Sequence, residues 1–431
     1  MKPELFSLLY RRSFLAFFLT QFLGAFNDNV FKTALSLLIA FNAVSQAETE
    51  SSVLVNLAAI CFILPFFLFS PTAGSLADYH HKVRLIRLVK LTEIFIMLLA
   101  IVGFYLNSPL FLIGVLFLMG AQSTLFGPLK YSYLPTVLER EQLVGANAWI
   151  QASTFVGIIA GMMLAGLLFS WDGEAHAPVM VAVLLIAVLG WISSLFIPLG
   201  NKISSTQGRE KGSIISLLRL ARGQRHVWPA ILGISWFWMV GATYITQLPN
   251  YVRFYVQADE QVFLLCLGLF AIGIGSGSLL CAWLRRFDSG RFSVLIGLIG
   301  LFLAGVLVAL YPKGSLEVLR GWSEFVGNPV DQGLMVGLFM LGVSGGLYIV
   351  PLYTVLQTCS DERSRSRMVA LNNVLNAAYM VVSAAIVLGL LAAGLSISEL
   401  FLLLALANVV MLLYYVRGEA RFLTKINAIY H

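Results

Sequence analysis

An acid and a base, Asp28 and Lys32, stand four residues apart inside a long apolar run. Charge in hydrocarbon is costly, so an ionisable pair at that place signals a functional site. At helical spacing Gln21, Ala25, Asp28, Lys32 and Ser36 share one face, with Asn27 and Asn29 beside them. Asp28 and Lys32 at i, i+4 can pair and so lower each other's cost. A second polar stripe is Trp236, Val240, Thr243, Gln247 and Asn250, with Trp238 and Tyr244 alongside, and a third set is Asn147, Gln151, Asn372, Asn373 and Asn376. Asn147 and Asn373 read as interhelical glue. The matched stripes together favour an internal binding space. The candidate substrate-binding residues are therefore Gln21, Asn27, Asp28, Asn29, Lys32, Gln151, Trp236, Thr243, Gln247, Asn372 and Asn376.

Two further groups have other roles. Glu93 follows Lys90 by three residues and reads as a snorkelling surface pair. With Asp28 it is a candidate for coupling to a proton or cation. Gly74-Ser-Leu-Ala-Asp78, followed by Lys82 and Arg84, has the make-up of a gate. The glycine lets helices approach, and Asp78 can meet a basic cluster or a neighbouring helix terminus. His80 and His81 lack a third ligand nearby and read as solvated residues, and no metal or cofactor is expected.

The elements that must position these residues are membrane helices. Of 431 residues, 59% are hydrophobic and 11% charged, far from a soluble domain's polar skin. Apolar runs of spanning length fall near 13–42, 53–76, 85–106, 109–129, 143–170, 178–199, 229–252, 262–284, 292–311, 333–357, 368–393 and 397–416. The expected fold is an all-α membrane protein with 12 transmembrane helices in two pseudo-symmetric six-helix bundles. Residues 1–200 form the first bundle, 201–227 a basic linker and 228–431 the second. The first run has no small-residue cleavage site at its end and reads as a retained helix. Cys61, Cys266, Cys281 and Cys359 lie in or at the end of apolar runs and read as packing residues.

Of the 28 Lys and Arg, all but Lys32, Arg253, Lys313 and Arg320 fall at the termini or in even-numbered loops with their flanking turns. Both termini are therefore expected in the cytoplasm. The net charge of +7 reflects this orientation, and no nucleic-acid partner is implied. Gly74-Ser-Leu recurs as Gly277-Ser-Leu, Gly127-Pro-Leu as Val350-Pro-Leu, and Asn147, Gln151 and Thr154 as Asn372, Asn376 and Tyr379. Such echoes mark repeat-built transporters. Glycines four apart, as in Gly157 with Gly161, Gly273 with Gly277 and Gly342 with Gly346, suit close helix contact. No phosphate-binding loop or nucleophile elbow occurs, so an enzyme is not expected.

Two related halves, a basic central loop and the Gly-x-x-x-Asp turn resemble the major facilitator superfamily. The turn departs from the usual pattern, with Tyr79 where a basic residue is common and His81 where glycine is expected, while Lys82 and Arg84 keep the charge. In the second half Cys281 takes the acid position, though Arg285 and Arg286 remain, which weakens any gate there. Within the superfamily the sequence resembles the bacterial lysophospholipid transporter family. The likeness is carried by Gln21-Phe-Leu-Gly-Ala-Phe-Asn-Asp-Asn29, Gly127-Pro-Leu-Lys-Tyr131, the run from Leu143 to Gly161, Trp236-Phe-Trp238 and Val350-Pro-Leu352.

The resemblance implies inward flipping of lysophospholipids, chiefly lysophosphatidylethanolamine, across the inner membrane of Gram-negative bacteria. With the chain stopping at His431, reacylation is expected to fall to a separate acyltransferase. Asp28 would meet the ammonium, Lys32 or Arg253 the phosphate, and phenylalanine-rich walls the acyl tail. The competing reading is a proton- or cation-coupled exporter of drugs, siderophores or other amphiphiles.

Overall fold

A computed structural model describes residues 4–42, 48–171, 176–199, 214–284, 290–313 and 319–418. Asp172, Glu174, Lys202, Arg209, Lys211, Arg285 and Arg286, and the residues after 418, lie outside them. Twelve helices of 17–32 residues run through the described chain. They are α1 Arg12–Asn42, α2 Glu48–Tyr79, α3 Lys82–Tyr105, α4 Pro109–Val137, α5 Leu143–Trp171, α6 Ala177–Leu195, α7 Val227–Asn250, α8 Glu260–Leu284, α9 Gly290–Ala309, α10 Pro329–Cys359, α11 Arg365–Ala392 and α12 Ile397–Leu413. Among the described residues ten helical stretches are long and apolar enough to cross a membrane. The two long helices outside that set, α1 and α3, carry the Asn27–Lys32 stripe and a run of basic residues with Glu93.

Local signals set the ends. Ser108 caps α4, with Pro109 at the first helical position. Ser396 and Glu399 form a reciprocal capping box on α12. The fourth helix was expected to stop near Leu129 after Gly127-Pro128, yet α4 continues through Pro128 and Pro135 to Val137. In hydrocarbon an unwound backbone has no water to bond, so proline is tolerated inside a spanning helix.

Packing divides the chain into two compact units. One takes residues 1–139, 156–221 and 360–374, and the other takes 140–155, 222–359 and 375–431, so α5 and α11 each contribute to both. In the first unit α2 packs on α4, α3 on α4 and α6, and α1 on α4 and α6. In the second α8 packs on α10, α9 on α10 and α12, and α7 on α10 and α12. The second pattern is the first displaced by six helices.

The first unit's core joins Phe31 and Leu35 of α1, Met97 and Phe104 of α3, Leu116 and Met119 of α4 and Val183 and Ala187 of α6. Large apolar residues such as Leu185, Leu303 and Leu388 face outward, as lipid contact requires.

In the second unit α8 and α10 meet backbone to backbone. A Cβ at Gly277 would lie 2.0 Å from the Val343 carbonyl oxygen, one at Gly342 would lie 2.1 Å from that of Phe270, and one at Gly346 would lie 2.4 Å from that of Ile274. Beyond α7 the chain makes a π-helical turn, Tyr251–Val256, ending at Gln257 in the left-handed region. A buried cluster fastens this end. Arg320 pairs with Asp331 at 2.5 Å and donates to the Val256 carbonyl and the Tyr311 hydroxyl, which itself donates to Asp331. Burial and that carboxylate push the Tyr311 hydroxyl up to about 12.

Candidate functional site

The Asp28 and Lys32 side chains, near the middle of α1, are half-buried. They do not form the expected ion pair. Ion pairs elsewhere in the described residues include Lys90 with Glu93, Arg320 with Asp331, and Arg367 with Asp78. The Ser123 hydroxyl of α4 donates to Asp28 Oδ2 at 3.0 Å, while the Lys32 ammonium lies 4.5 Å from the centre of the Phe62 ring on α2. Each charge finds a partner on another helix, a hydroxyl for the anion and a π-face for the cation. The two charges still attract one another, but no contact ion pair ties them together.

Glu93 differs more from its sequence reading. Lys90 and Glu93 are each 1% exposed and 2.6 Å apart. Snorkelling fails because neighbouring helices cover the pair. A Cβ at Gly24 of α1 would lie 2.5 Å from Lys90 Nζ, Gly190 of α6 is close by, and the Phe126 ring of α4 is 5.3 Å from the same nitrogen. Asn27 donates to Glu93 Oε1 at 3.0 Å and Gln122 to Oε2 at 3.2 Å. Three donors thus converge on the Glu93 carboxylate. Asn27 is fully buried and commits its amide nitrogen there, so it supports the site from behind. Asn29 donates to the Ala25 carbonyl of its own helix, and Gln21 is buried.

In the second unit many of the predicted polar residues bond helix to helix. Asn147 and Gln357 exchange amide bonds at 2.7 and 3.1 Å, and Asn147 also donates to Thr354. Ser235 donates to Asn376 Oδ1, Trp236 to Asn408, and Thr243 is bonded to Ser383. Gln151 is fully buried and Gln247 is half-buried; Asn372, which falls in the first unit, is buried. Trp238 donates to the Tyr353 hydroxyl and stacks on Phe155. Arg253 is exposed beside Phe254. Sequence reasoning missed Gln122 and Ser123. Their signal was a polar dipeptide within an apolar run, one turn before Gly127-Pro128. Lys130, half-buried and seven residues past Ser123 on the same side of α4, was missed as well.

The last turn of α2 meets a helix terminus. Asp78 Oδ1 accepts the Ser366 backbone N–H at 2.9 Å and Oδ2 that of Arg367 at 3.2 Å, at the start of α11. The Arg367 Nε is 3.3 Å from Oδ2. Here a carboxylate meets the positive end of the helix dipole. Lys82 donates to the Ala77 carbonyl and to the Ser366 hydroxyl. Gly74 makes the approach possible, since its Cβ would lie 2.8 Å from that of Ala370 and 2.9 Å from Arg367 Cα. Arg84 is exposed and takes no part in these bonds.

A sequence model of the Major Facilitator Superfamily matches residues 17–326, well over half of the chain. The chain belongs to the Major Facilitator Superfamily. As a member it is a membrane transporter and not an enzyme. It is 28% identical over 357 residues to the lysophospholipid transporter LplT of Yersinia pestis (strain Pestoides F), a match spanning 81% of this chain and 79% of that protein. LplT of Yersinia pseudotuberculosis serotype O:3 (strain YPIII) matches to the same extent. The fold is shared with the E. coli fucose:proton symporter FucP, at TM-score 0.70 and 14% identity over 95% of this chain and 98% of that one. The human organic anion transporter TETRAN gives 0.68 and 14%, over 100% and 98%.

Proposed function

We propose that this major facilitator is a secondary transporter that moves lysophospholipids, of the lysophosphatidylethanolamine kind, across the bacterial inner membrane by alternating access. All twelve long helices span, and both termini face the cytoplasm, where most basic residues gather. The observation that carries the reading is the separation of charges on α1: Asp28 rests on a hydroxyl and Lys32 on an aromatic ring, without a bond between them. A zwitterionic head group offers an ammonium for Asp28 and a phosphate for Lys32. Its single acyl tail suits walls as apolar as these. Similarity to proteins named as lysophospholipid transporters supports this cargo.

The junction of Asp78 with α11 serves as the cytoplasmic gate in this scheme. A separate acyltransferase takes the delivered lysolipid. Uptake of labelled lysophosphatidylethanolamine into vesicles is expected to fall at least 10-fold in Asp28→Asn, as loss of one charge-assisted contact entails. Undiminished uptake refutes the assignment. Transport that instead follows a pH gradient over a broad range of amphiphiles identifies a proton-coupled exporter.

A further inference from the structure

Behind Asp28 a chain of side chains leads to the buried ion pair. Glu93 is fixed by Lys90 and Asn27, and its Oε2 also accepts the Gln122 amide nitrogen. That commitment turns Gln122 Oε1 the other way, to 3.3 Å from the Ser123 hydroxyl. A serine has one proton to give. It lies 3.0 Å from Asp28 Oδ2, the nearer acceptor, and a carboxylate is the stronger one. Gln122 Oε1 is an acceptor that competes for the same proton, so the bond that holds Asp28 is the shorter one from Ser123 alone. Oδ1 is left for the cargo.

We propose that Ser123 is a positioning residue for transport, setting the Asp28 carboxylate to receive the cargo's cation. The identity of that cargo rests on the lysolipid reading; the positioning of Asp28 does not. Ser123 sits on α4 and Asp28 on α1, so the bond that sets the carboxylate crosses between two helices.

The test is a mutant cycle on lysophosphatidylethanolamine uptake in proteoliposomes. Ser123→Ala is expected to raise KM roughly 10-fold, the scale of one hydrogen bond to a charged group, with the maximal rate and melting temperature nearly unchanged. Ser123→Thr keeps the hydroxyl and is expected to restore KM. In an Asp28→Asn background, Ser123→Ala is expected to add nothing, because the group it positions is gone. An unchanged KM in Ser123→Ala overturns the proposal, as does an equal effect with and without Asp28. If the wild-type protein moves no lysolipid, the cargo reading fails, and the positioning is judged on the infrared carboxylate band assigned by the Asp28→Asn difference. A band that moves in Ser123→Ala sustains it, and a band that stays in place overturns it.

Discussion

Replacing Asp78 with asparagine tests whether the junction between α2 and α11 is a gate. The substitution keeps the shape and one acceptor oxygen. It loses the second acceptor and the charge, and it turns an amide N–H group toward backbone donors at 2.9 and 3.2 Å. One hydrogen bond to a charged group is worth about 1.5–3 kcal/mol, and a carboxylate at a helix N-terminus adds about 0.3–1 kcal/mol. The joined arrangement should therefore lose about 2–4 kcal/mol, shifting its equilibrium with the parted one roughly 30- to 1000-fold. Spin labels at the exposed positions His80 and Asp361, in a background free of native cysteines, report the separation by double electron–electron resonance. The wild-type protein should give one dominant short distance and Asp78→Asn a substantial longer population, with uptake slowed. An unchanged distance distribution together with unchanged uptake refutes the gate.

Glu93→Gln leaves the Lys90 ammonium buried without its anion, so the melting temperature in detergent should fall by an amount corresponding to about 3–5 kcal/mol, whereas Lys90→Met with Glu93→Leu together should restore most of it. Gly277→Ala places a methyl 2.0 Å from the Val343 carbonyl oxygen, which is backbone and cannot swing aside. It should cost about 1–3 kcal/mol, read as a lower melting temperature.

The helices were legible because a bilayer imposes length and apolarity together, and both are written in composition. The end of α4 was misplaced because proline stops helices in water, where freed carbonyls find partners, and that rule weakens in lipid. For the candidate site the sequence located Asp28, Lys32 and Glu93 but not their company. Spacing puts Asp28 within reach of Lys32, yet Ser123 and Phe62 come from helices whose nearness no local pattern encodes. Glu93 looked peripheral because sequence gives depth along a helix axis and not the identity of the covering neighbours, here Gly24, Gly190 and Phe126. Asp78 and Ser366 are 288 residues apart. The sequence narrowed that acid's partner to a basic cluster or a helix terminus, without saying which terminus.

The seam between α8 and α10 bears on how this chain can diverge. Gly273, Gly277, Gly342 and Gly346 face main-chain atoms of the opposite helix, which no substitution can trim. A bulkier residue on one helix cannot be compensated by a smaller one on the other. Outward leucines such as Leu303 and Leu388 can be exchanged for any greasy neighbour in the genetic code, one step at a time. The four glycines admit no such stepwise drift, and a saturation-mutagenesis map of the second unit should show them as a narrow intolerant line through permissive surroundings.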